Sequence, residues 1–336
     1  MARTGVPAAA QKNTMRAIVY GEYGSPDVLE LRDVSRPMVK KGEVLVRIRA
    51  AAVNPGDWFY LRGEPYIMRM AVGLFTPRNG VLGRAVAGQV QEAGSNVTRF
   101  RPGDEVFAEI SKGGFAEYAS VSEDALALKP ASLTYEQAAA VPVVGVTALK
   151  GLRDHGKIKP GQKVLINGAS GGVGTFAVQV AKAFGAEVTG VCSTRNVDLV
   201  RSIGADHVID YTLEDFTQGG PRYDLILDNV GNHSVLECRR ALTPRGTLLP
   251  SSGAGGRWLD GLPRMAGAFA LSPFVRQRLR PFVPAGKGED LVVLTELIEA
   301  GKVTPVIDRT YPLSQTAQAL AYYGQGHTRG KVVITV

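Results

Sequence analysis

A chain of 336 residues, 45% of them hydrophobic and 21% charged, is long enough for about two globular domains, and this composition excludes a disordered or collagen-like protein. Its two cysteines exclude a disulfide scaffold, and its longest apolar runs fall short of the roughly 20 residues that a membrane-spanning helix needs. The short apolar runs lead us to expect no membrane span. The net charge of +8 includes no block of five basic residues, so we expect no nucleic-acid partner.

The N-terminal segment Met1–Thr14 is polar and rich in small residues. It lacks the continuous apolar core of a secretory signal, so we expect a disordered tail. Because the segment is poor in acidic residues and carries Arg3 and Lys12, a transit peptide stays open as an alternative. The expected location of the protein is the cytoplasm.

Short strand-like segments occupy the chain from Met15 to about Pro130. They are β-branched or alternating, and Gly, Pro, Asn and Asp separate them. The predicted strands are Arg16–Tyr20, Val44–Arg49, Gly88–Ala93, Glu105–Ile110 and Ala116–Val121. This pattern predicts a small antiparallel barrel or sandwich.

After Thr134, strands and helices alternate, which is typical of βαβ units and a parallel sheet. The predicted strands are Lys163–Asn167, Glu187–Cys192, His207–Asp210, Asp224–Asn229, Gly246–Pro250 and a short last strand, Phe282–Val283. The predicted helices between them are Gly172–Phe184, Asn196–Ile203 and Asn232–Leu242. The C-terminal strand Lys331–Val336 has no βαβ partner, so we expect it to return to the first domain. The predicted domains are 15–130 with 287–336, and 131–286.

A buried strand, a glycine-rich turn and a helix follow one another in Lys163–Lys182. Glycines let the backbone approach a pyrophosphate, and the helix N-terminus offers free N–H groups and a positive dipole end. A second strand follows on schedule, which is the context that a dinucleotide fingerprint requires. The sequence therefore predicts a Rossmann-type dinucleotide site at Ser170, Gly171, Gly172, Val173 and Gly174.

The residues after the second strand distinguish NADP from NAD. An acidic residue there would bind the ribose 2′-hydroxyl of NAD, but the chain has Ser193, Thr194 and Arg195, and the first acid is Asp198. Hydroxyls and a guanidinium suit a 2′-phosphate, so NADP(H) is favoured. The alternative that Ser193 or Thr194 caps the next helix stays open, and one residue can do both.

Two further strand ends offer cofactor contacts, because ligands of open α/β sheets bind at the carboxyl ends of strands. Asn229 and Val230 follow one strand and are candidates for the nicotinamide half. Tyr211 follows the third strand and is a candidate for the adenine or the 2′-phosphate. Taken singly, each residue is equally consistent with an ordinary strand-end turn.

These residues resemble the medium-chain dehydrogenase/reductase superfamily, in its zinc-free quinone oxidoreductase (zeta-crystallin-like) branch. The resemblance spans Met15–Val336 and is carried by the signature Gly161–Lys182, with Ala52–Asp57, Gly103–Val106, Gly113–Tyr118 and Gly330–Ile334 in agreement. The segments Leu82–Gly88 and His327–Lys331 are similar to the mitochondrial reticulon-interacting oxidoreductases. The resemblance implies an α/β protein with a GroES-like β-barrel catalytic domain and a Rossmann domain, NADPH as hydride donor, and often a homodimer.

The resemblance also implies site residues. Asn54 matches a family position that faces the nicotinamide and the substrate. Positions that commonly contact NADPH match Ser170, Gly172, Val173, Ser193, Tyr211 and Arg329, and we include Thr328 beside the last of these. Two departures weaken a transfer of quinone specificity: Phe59 stands where the family often has Tyr, with Tyr60 next to it, and Ala85 replaces an Asp.

No zinc site is predicted. Catalytic zinc needs three converging protein ligands, usually Cys, His or Glu. Zinc-dependent relatives have Cys in the region where this chain has Asp57, and a Gly-His-Glu piece where it has Gly83–Ala85. The four histidines lie in unrelated contexts.

Without a metal, an acceptor that is already electrophilic is favoured, namely a quinone or an α,β-unsaturated carbonyl. Asn54 and Tyr60 are the candidate catalytic residues, as hydrogen-bond donors to the developing oxygen, with Tyr60 or water as proton source. An NADPH-binding sensor or scaffold and a biosynthetic enoyl reductase remain alternatives. For the segment Arg257–Phe282, both a lid over a hydrophobic pocket and a helix packed on the sheet stay open.

Overall fold

The structure is a computed structural model that describes residues 14–78, 80–251, 256–259, 261–283 and 286–336. The predicted tail Met1–Thr14 lies outside these ranges except for Thr14, which begins the first strand. Within the described part of the chain, every helix is too short or too polar to span a lipid bilayer.

The described chain is mostly strands up to Leu128, and from Lys163 strands and helices alternate. The strands are β1 (Thr14–Val19), β2 (Glu30–Ser35), β3 (Glu43–Ala52), β4 (Ala85–Ala93), β5 (Glu105–Glu109), β6 (Tyr118–Ser122), β7 (Leu126–Leu128), β8 (Lys163–Asn167), β9 (Glu187–Cys192), β10 (His207–Asp210), β11 (Tyr223–Asp228), β12 (Leu242–Pro250), β13 (Arg278–Leu279), β14 (Ile307–Pro312) and β15 (Lys331–Thr335). The helices are α1 (Pro55–Arg62), α2 (Arg69–Val72), α3 (Tyr135–Ala139), α4 (Pro142–Lys150), α5 (Gly172–Ala183), α6 (Val197–Ser202), α7 (Val235–Arg240), α8 (Gly256–Leu259), α9 (Leu262–Leu271), α10 (Gly288–Glu299) and α11 (Thr316–Gly324).

The first domain is a mainly antiparallel sheet centred on β3, which pairs with β4, β6 and β15. Its strand order is β14-β15-β3-β4-β5-β7, and β1 and β2 form a separate ribbon. Val44, Val46 and Ile48 alternate along β3 and are buried in one apolar core, because successive side chains of a strand point to opposite faces. The C-terminal strand β15 lies beside β3, with Val333 opposite Ala52, as the sequence predicts.

The second domain is a six-stranded parallel sheet in the order β10-β9-β8-β11-β12-β13. This is the strand order of a Rossmann fold, whose direction of winding reverses between β8 and β11. The bounds of β8, β9 and β10 are those predicted from their apolar runs. Together the two domains give the predicted α/β fold with a GroES-like and a Rossmann-type unit.

The short last strand predicted at Phe282–Val283 is wrong. The edge strand is β13, which pairs with β12 through Thr247 opposite Arg278. Phe282 is instead buried in the core, and its ring stacks on His155 with ring centroids 4.8 Å apart. Phe282 therefore belongs to the hydrophobic core and not to the sheet.

The segment before β13 packs on the sheet. Ala268 of α9 and Leu279 of β13 are buried in the same cluster as Cys238 of α7. Trp258 of α8 reaches the first domain, where its ring makes an edge contact with Tyr66 at 5.1 Å between centroids. For α9, the structure thus agrees with the packing alternative that the sequence left open.

Candidate active site in the interdomain cleft

A cleft of about 650 Å³ lies between the two domains, at the carboxyl ends of β8, β9 and β11. It follows the point where the parallel sheet reverses its winding, which is the ligand position of open α/β sheets. One wall consists of the glycine-rich turn after β8 and the strand ends of the Rossmann-type domain. The other wall is formed by residues 53, 55 and 58 and by the segment 323–332 of the first domain.

The glycine-rich turn is held tightly by its own backbone. Gly168 has a φ of +79°, and a Cβ on Gly174 would lie 2.0 Å from the Gly168 carbonyl oxygen. Only glycine therefore fits at position 174. The helix α5 begins at Gly172, so its first N–H groups, which have no carbonyl partner within the helix, point into the cleft. This cradle suits a pyrophosphate.

A buried polar network shapes the strand ends at the reversal point. The Asn167 side chain at the end of β8 donates to Asp228 at 2.8 Å and to Asn232 at 2.9 Å. Asp228 Oδ1 also accepts the backbone N–H groups of Val230 and Gly231, at 3.1 and 3.0 Å. This fixes the turn that carries Asn229 and Val230, both of which line the cleft.

Asn196 links two predicted cofactor residues. Its Nδ2 donates to the hydroxyl oxygens of Ser170 at 3.0 Å and Ser193 at 3.3 Å. Asn196 is 4% exposed, and its Oδ1 has no hydrogen-bond partner among the described residues. Because a buried unpaired carbonyl is costly, this oxygen fits a hydroxyl donor from a bound dinucleotide.

The end of β9 carries the groups predicted to select the cofactor. Ser193, Arg195 and Tyr211 line the cleft, and Arg195 Nη2 donates to the His327 carbonyl oxygen at 3.1 Å, which ties the two domains together. Thr194 instead bonds to the hydroxyl of Thr212 at 3.0 Å. The Arg195 guanidinium and the Ser193 hydroxyl thus both border the cleft at the end of β9.

The wall of the first domain starts from the turn after β3. Asn54 precedes α1, and Pro55 occupies the first helical position, where the missing N–H costs nothing. Asp57 accepts the backbone N–H of Asn54 at 2.9 Å and that of Gly83 at 3.0 Å. Burial raises the pKa of Asp57 to about 6, although both hydrogen bonds oppose this shift.

Lys331 completes this wall. It is 2% exposed, and its Nζ donates to the Val53 carbonyl oxygen at 2.5 Å and to Asn54 Oδ1 at 2.7 Å. The Asn54 Nδ2 donates to the Ala52 carbonyl oxygen at 2.8 Å, so both ends of the Asn54 amide have partners within the protein. Burial lowers the pKa of Lys331 to about 7, and the charge of Asp57 partly counteracts this.

The structure brings together most of the predicted cofactor residues. The cleft is lined by Ser170, Gly171, Gly172, Val173, Gly174, Ser193, Arg195, Tyr211, Asn229, Val230 and Thr328. Thr194 and Arg329 are not among the lining residues, and the Arg329 backbone N–H donates to Asp308 at 2.9 Å. Of the two candidate catalytic residues, neither is among them: Asn54 is buried behind Val53 and Pro55, and Tyr60 packs against the core of the first domain.

Two family models match separate parts of the chain. Residues 40–131 match an alcohol dehydrogenase GroES-like domain, and residues 203–334 match a zinc-binding dehydrogenase. The chain is also 36% identical to the mitochondrial NAD(P)H oxidoreductase RTN4IP1 of Mus musculus, over 98% of this chain and 91% of that protein. The chain belongs to the medium-chain dehydrogenase/reductase superfamily.

Other members of the superfamily carry more specific names. The 2-methylene-furan-3-one reductase of Solanum lycopersicum is 35% identical, over 97% of this chain and 82% of that protein. The solved quinone oxidoreductase of Coxiella burnetii is 29% identical, with a TM-score of 0.85 over 96% of this chain and 99% of that one. As a member of this superfamily, the chain is an oxidoreductase with a nicotinamide dinucleotide cofactor.

The zinc named in one family model does not fit the described residues. Within these ranges, no three His, Cys, Asp or Glu side chains are close enough together to hold a metal ion. At the turn after β3, the amide of Asn54 is bonded to Lys331 and Ala52. A neutral amide whose oxygen already accepts a hydrogen bond from the Lys331 side chain is a poor zinc ligand.

Sequence reasoning missed three residues that organise the cleft: Asn196, Asp228 and Lys331. Asp228 is the last residue of β11 and Asn196 lies shortly after the end of β9, so their positions were a usable signal. The sequence contains no such signal for Lys331, because this residue starts an ordinary β-branched strand. Its partner Asn54 lies 277 positions earlier in the chain.

Proposed function

We propose that this chain is a zinc-independent, NADPH-dependent oxidoreductase that transfers a hydride to a quinone or to an α,β-unsaturated carbonyl. The observation that carries the proposal is the cleft itself: a glycine cradle at the N-terminus of α5, continuous with the fixed turn at Asn229 and Val230. The names of two relatives, a quinone oxidoreductase and a furanone reductase, support the acceptor class.

The preference for NADPH rests on the end of β9. The exposed guanidinium of Arg195 and the hydroxyl of Ser193 line the cleft there. Arg binds phosphate through paired N–H donors, whereas a ribose 2′-hydroxyl calls for a carboxylate. The first acid in this stretch, Asp198, lies within α6 and is not among the residues that line the cleft.

In the proposed mechanism, bound NADPH supplies a hydride from its nicotinamide C4, and the protein supplies orientation and exclusion of water. Asp228 holds the turn at Val230 and Gly231 rigid, so the nicotinamide end has a fixed support. Trp58 of the first domain gives the cleft apolar surface on the opposite side, and Val144 adds apolar surface beside the glycine turn. Tyr60 does not line the described cleft, so of the two proton sources considered in the sequence analysis we propose water.

The test is the absorbance of NADPH at 340 nm with quinones, enones and aldehydes as acceptors, NADH in parallel, and a chelator in a matched sample. We expect turnover with NADPH on quinones or enones, unchanged by the chelator. Loss of activity with the chelator would overturn zinc independence. Tight NADPH binding without turnover on any acceptor would favour the alternative of a sensor or scaffold protein.

We further propose a cytoplasmic homodimer. The motivation for the dimer is the resemblance of the sequence to quinone oxidoreductases, and the location is carried over from the sequence analysis as a proposal. Light scattering during size-exclusion chromatography tests the dimer, and a mass near 36 kDa would contradict it, since one chain has 35.7 kDa. A C-terminal fluorescent fusion tests the location, and an organellar signal would favour the transit-peptide alternative.

A further inference from the structure

Lys331 lies directly beside the glycine-rich turn. The backbone N–H of Gly330 donates to the Ser170 carbonyl oxygen at 2.9 Å, and Gly330 forms a parallel bridge with Gly171. A Cβ on Gly172 would lie 3.1 Å from Lys331 Cδ. The lysine chain therefore passes under the first residue of α5, where the helix N-terminus presents its free N–H groups.

The Lys331 amine has two acceptors and no contacting anion. Among the described residues, Nζ bonds only to the Val53 carbonyl oxygen and Asn54 Oδ1, both of them uncharged. Two N–H groups satisfy both bonds, so either the amine or the ammonium form fits the site. The ammonium form leaves a third N–H without a partner in a buried position, which disfavours it.

The charged groups around Lys331 come from several elements. The charge of Asp57, in α1, favours the protonated form of Lys331. The oxygens of Asp57 accept two backbone N–H groups, and the charge of Arg84 lowers its pKa. Tyr20 and Tyr323 face Asp57, and burial raises both of their pKa values, so they stay neutral. Burial thus lowers the pKa of Lys331 to about 7.

We propose that Lys331 is a proton-linked anchor for the dinucleotide: the amine gains a proton when the cofactor phosphates enter the cleft, so that binding weakens as the pH rises. This inference rests on the proposed function, because it needs a dinucleotide on the glycine turn. A negative charge close to an amine stabilises its ammonium form. Above the titration point of the free protein, the affinity then falls by up to about tenfold per pH unit.

The experiment counts protons by isothermal titration calorimetry with NADPH at pH 8, in two buffers of different ionisation enthalpy. The 2′-phosphate, with a pKa of about 6, is already deprotonated at this pH and takes up no proton. We expect the wild type to take up close to one proton per dinucleotide. Lys331→Arg stays charged, so it should bind without uptake and with an affinity that does not change between pH 6.5 and 8.5.

Two variants separate Lys331 from other sources of protons. Lys163→Met removes an exposed lysine at the opposite end of β8 and should leave the uptake unchanged. His327 lines the same cleft, so His327→Gln asks whether the imidazole takes up the proton instead. Uptake that persists in Lys331→Arg, or that disappears in His327→Gln alone, would overturn the proposal.

The failure of this inference is distinguishable from failure of the proposed function. If neither NADPH nor NADH binds, the proposed function fails and the inference fails with it. If NADPH binds and the buffer makes no difference to the heat, only the role of Lys331 is refuted. If Lys331→Arg does not fold, the test rests on the other two proteins: no uptake by the wild type, or loss of uptake in His327→Gln, overturns the proposal, and uptake that persists in His327→Gln supports it.

Discussion

The two walls of the cleft are built in opposite ways. The wall of the Rossmann-type domain offers backbone groups from one continuous stretch, the glycine turn at 168–174 and the start of α5. The wall of the first domain includes Lys331, which belongs to a buried side-chain network with Asn54 and, next to it, Asp57, each at most 2% exposed. The glycine turn of the first wall is specified by local backbone geometry, whereas the network behind the second wall depends on contacts between distant segments.

This difference has an energetic consequence. A backbone cradle requires only that no side chain enters it, so a substitution disrupts it by steric collision. A buried polar network needs every donor and acceptor to be matched, because an unpaired buried group costs about 1–3 kcal/mol. Substitutions in the two walls should therefore fail for different reasons, the first by collision and the second by lost hydrogen bonds and charge.

The largest effect is expected for Gly174→Val. Its Cβ would lie 2.0 Å from the Gly168 carbonyl oxygen, a distance that backbone atoms cannot relieve locally. We expect loss of dinucleotide binding by more than about 100-fold, with destabilisation of the turn, since backbone positions that only glycine fits tolerate no side chain. Fluorescence titration with NADPH and thermal unfolding measure the two parts of this effect.

The matched control is Gly267→Ala, in α9. An added Cβ there meets no atom within 4 Å, so only the helix propensity changes. This variant should be more stable than the wild type by about 0.5–1 kcal/mol, with unchanged NADPH binding. Binding by Gly174→Val at wild-type affinity would contradict the assignment of the turn.

In the opposite wall, Asp57→Asn is expected to cost about 2–4 kcal/mol of stability. Asp57 accepts two backbone N–H groups, and an amide places an NH₂ group against one of these donors. The substitution also removes the negative charge that partly supports protonated Lys331. Urea unfolding at pH 7 measures the loss, with the exposed Asp33→Asn on β2 as a control that should change stability by less than about 0.5 kcal/mol.

Cofactor choice should depend on Arg195. If its guanidinium binds the 2′-phosphate, Arg195→Ala weakens NADPH binding by about 10- to 100-fold, since a hydrogen bond to a charged group contributes about 1.5–3 kcal/mol. The affinity for NADH should stay the same. Arg201→Ala, on the exposed side of α6, is the control. An equal loss of both cofactors would mean that Arg195 acts through its bond to the His327 carbonyl.

The smallest effect concerns the pH dependence of stability. The pKa of Lys331 falls from 10.5 to about 7 on folding, so between these values the unfolded chain holds a proton that the folded chain lacks. Stability therefore rises with pH across this window. Relative to Lys331→Met, the wild type should gain about 1 kcal/mol between pH 7 and pH 8. Denaturant unfolding at both values checks this, and an equal pH response of the two proteins would show that Lys331 does not titrate there.

Sequence reasoning performed best where structure is local. The strands β8, β9 and β10 were predicted to the residue. β8 and β9 are largely buried parallel strands, which appear as short apolar runs, and β10 is a half-buried edge strand that ends at Asp210. The glycine turn was equally readable, since its conformation depends on residues within a few positions of one another. Phe282 was misassigned because an apolar β-prone residue serves a core as well as a strand.

The placement of Asn54 and Lys331 is of the other kind. The turn at Val53–Pro55 was recognised, but its amide was expected to face the substrate, whereas the structure turns it onto Lys331. No sequence feature near either residue predicts that their side chains meet. Their meeting requires β15 to join β3 after the whole parallel sheet has intervened.

The sequence by itself thus determined the two-domain α/β fold, the dinucleotide turn and most residues around it, because these follow from hydrophobic periodicity and from the backbone freedom of glycine. Only the tertiary structure decided which polar groups are buried together. The titration of Asp57 and Lys331 depends on desolvation by segments far away in the chain. Burial is a property of the assembled fold, and no local pattern encodes it.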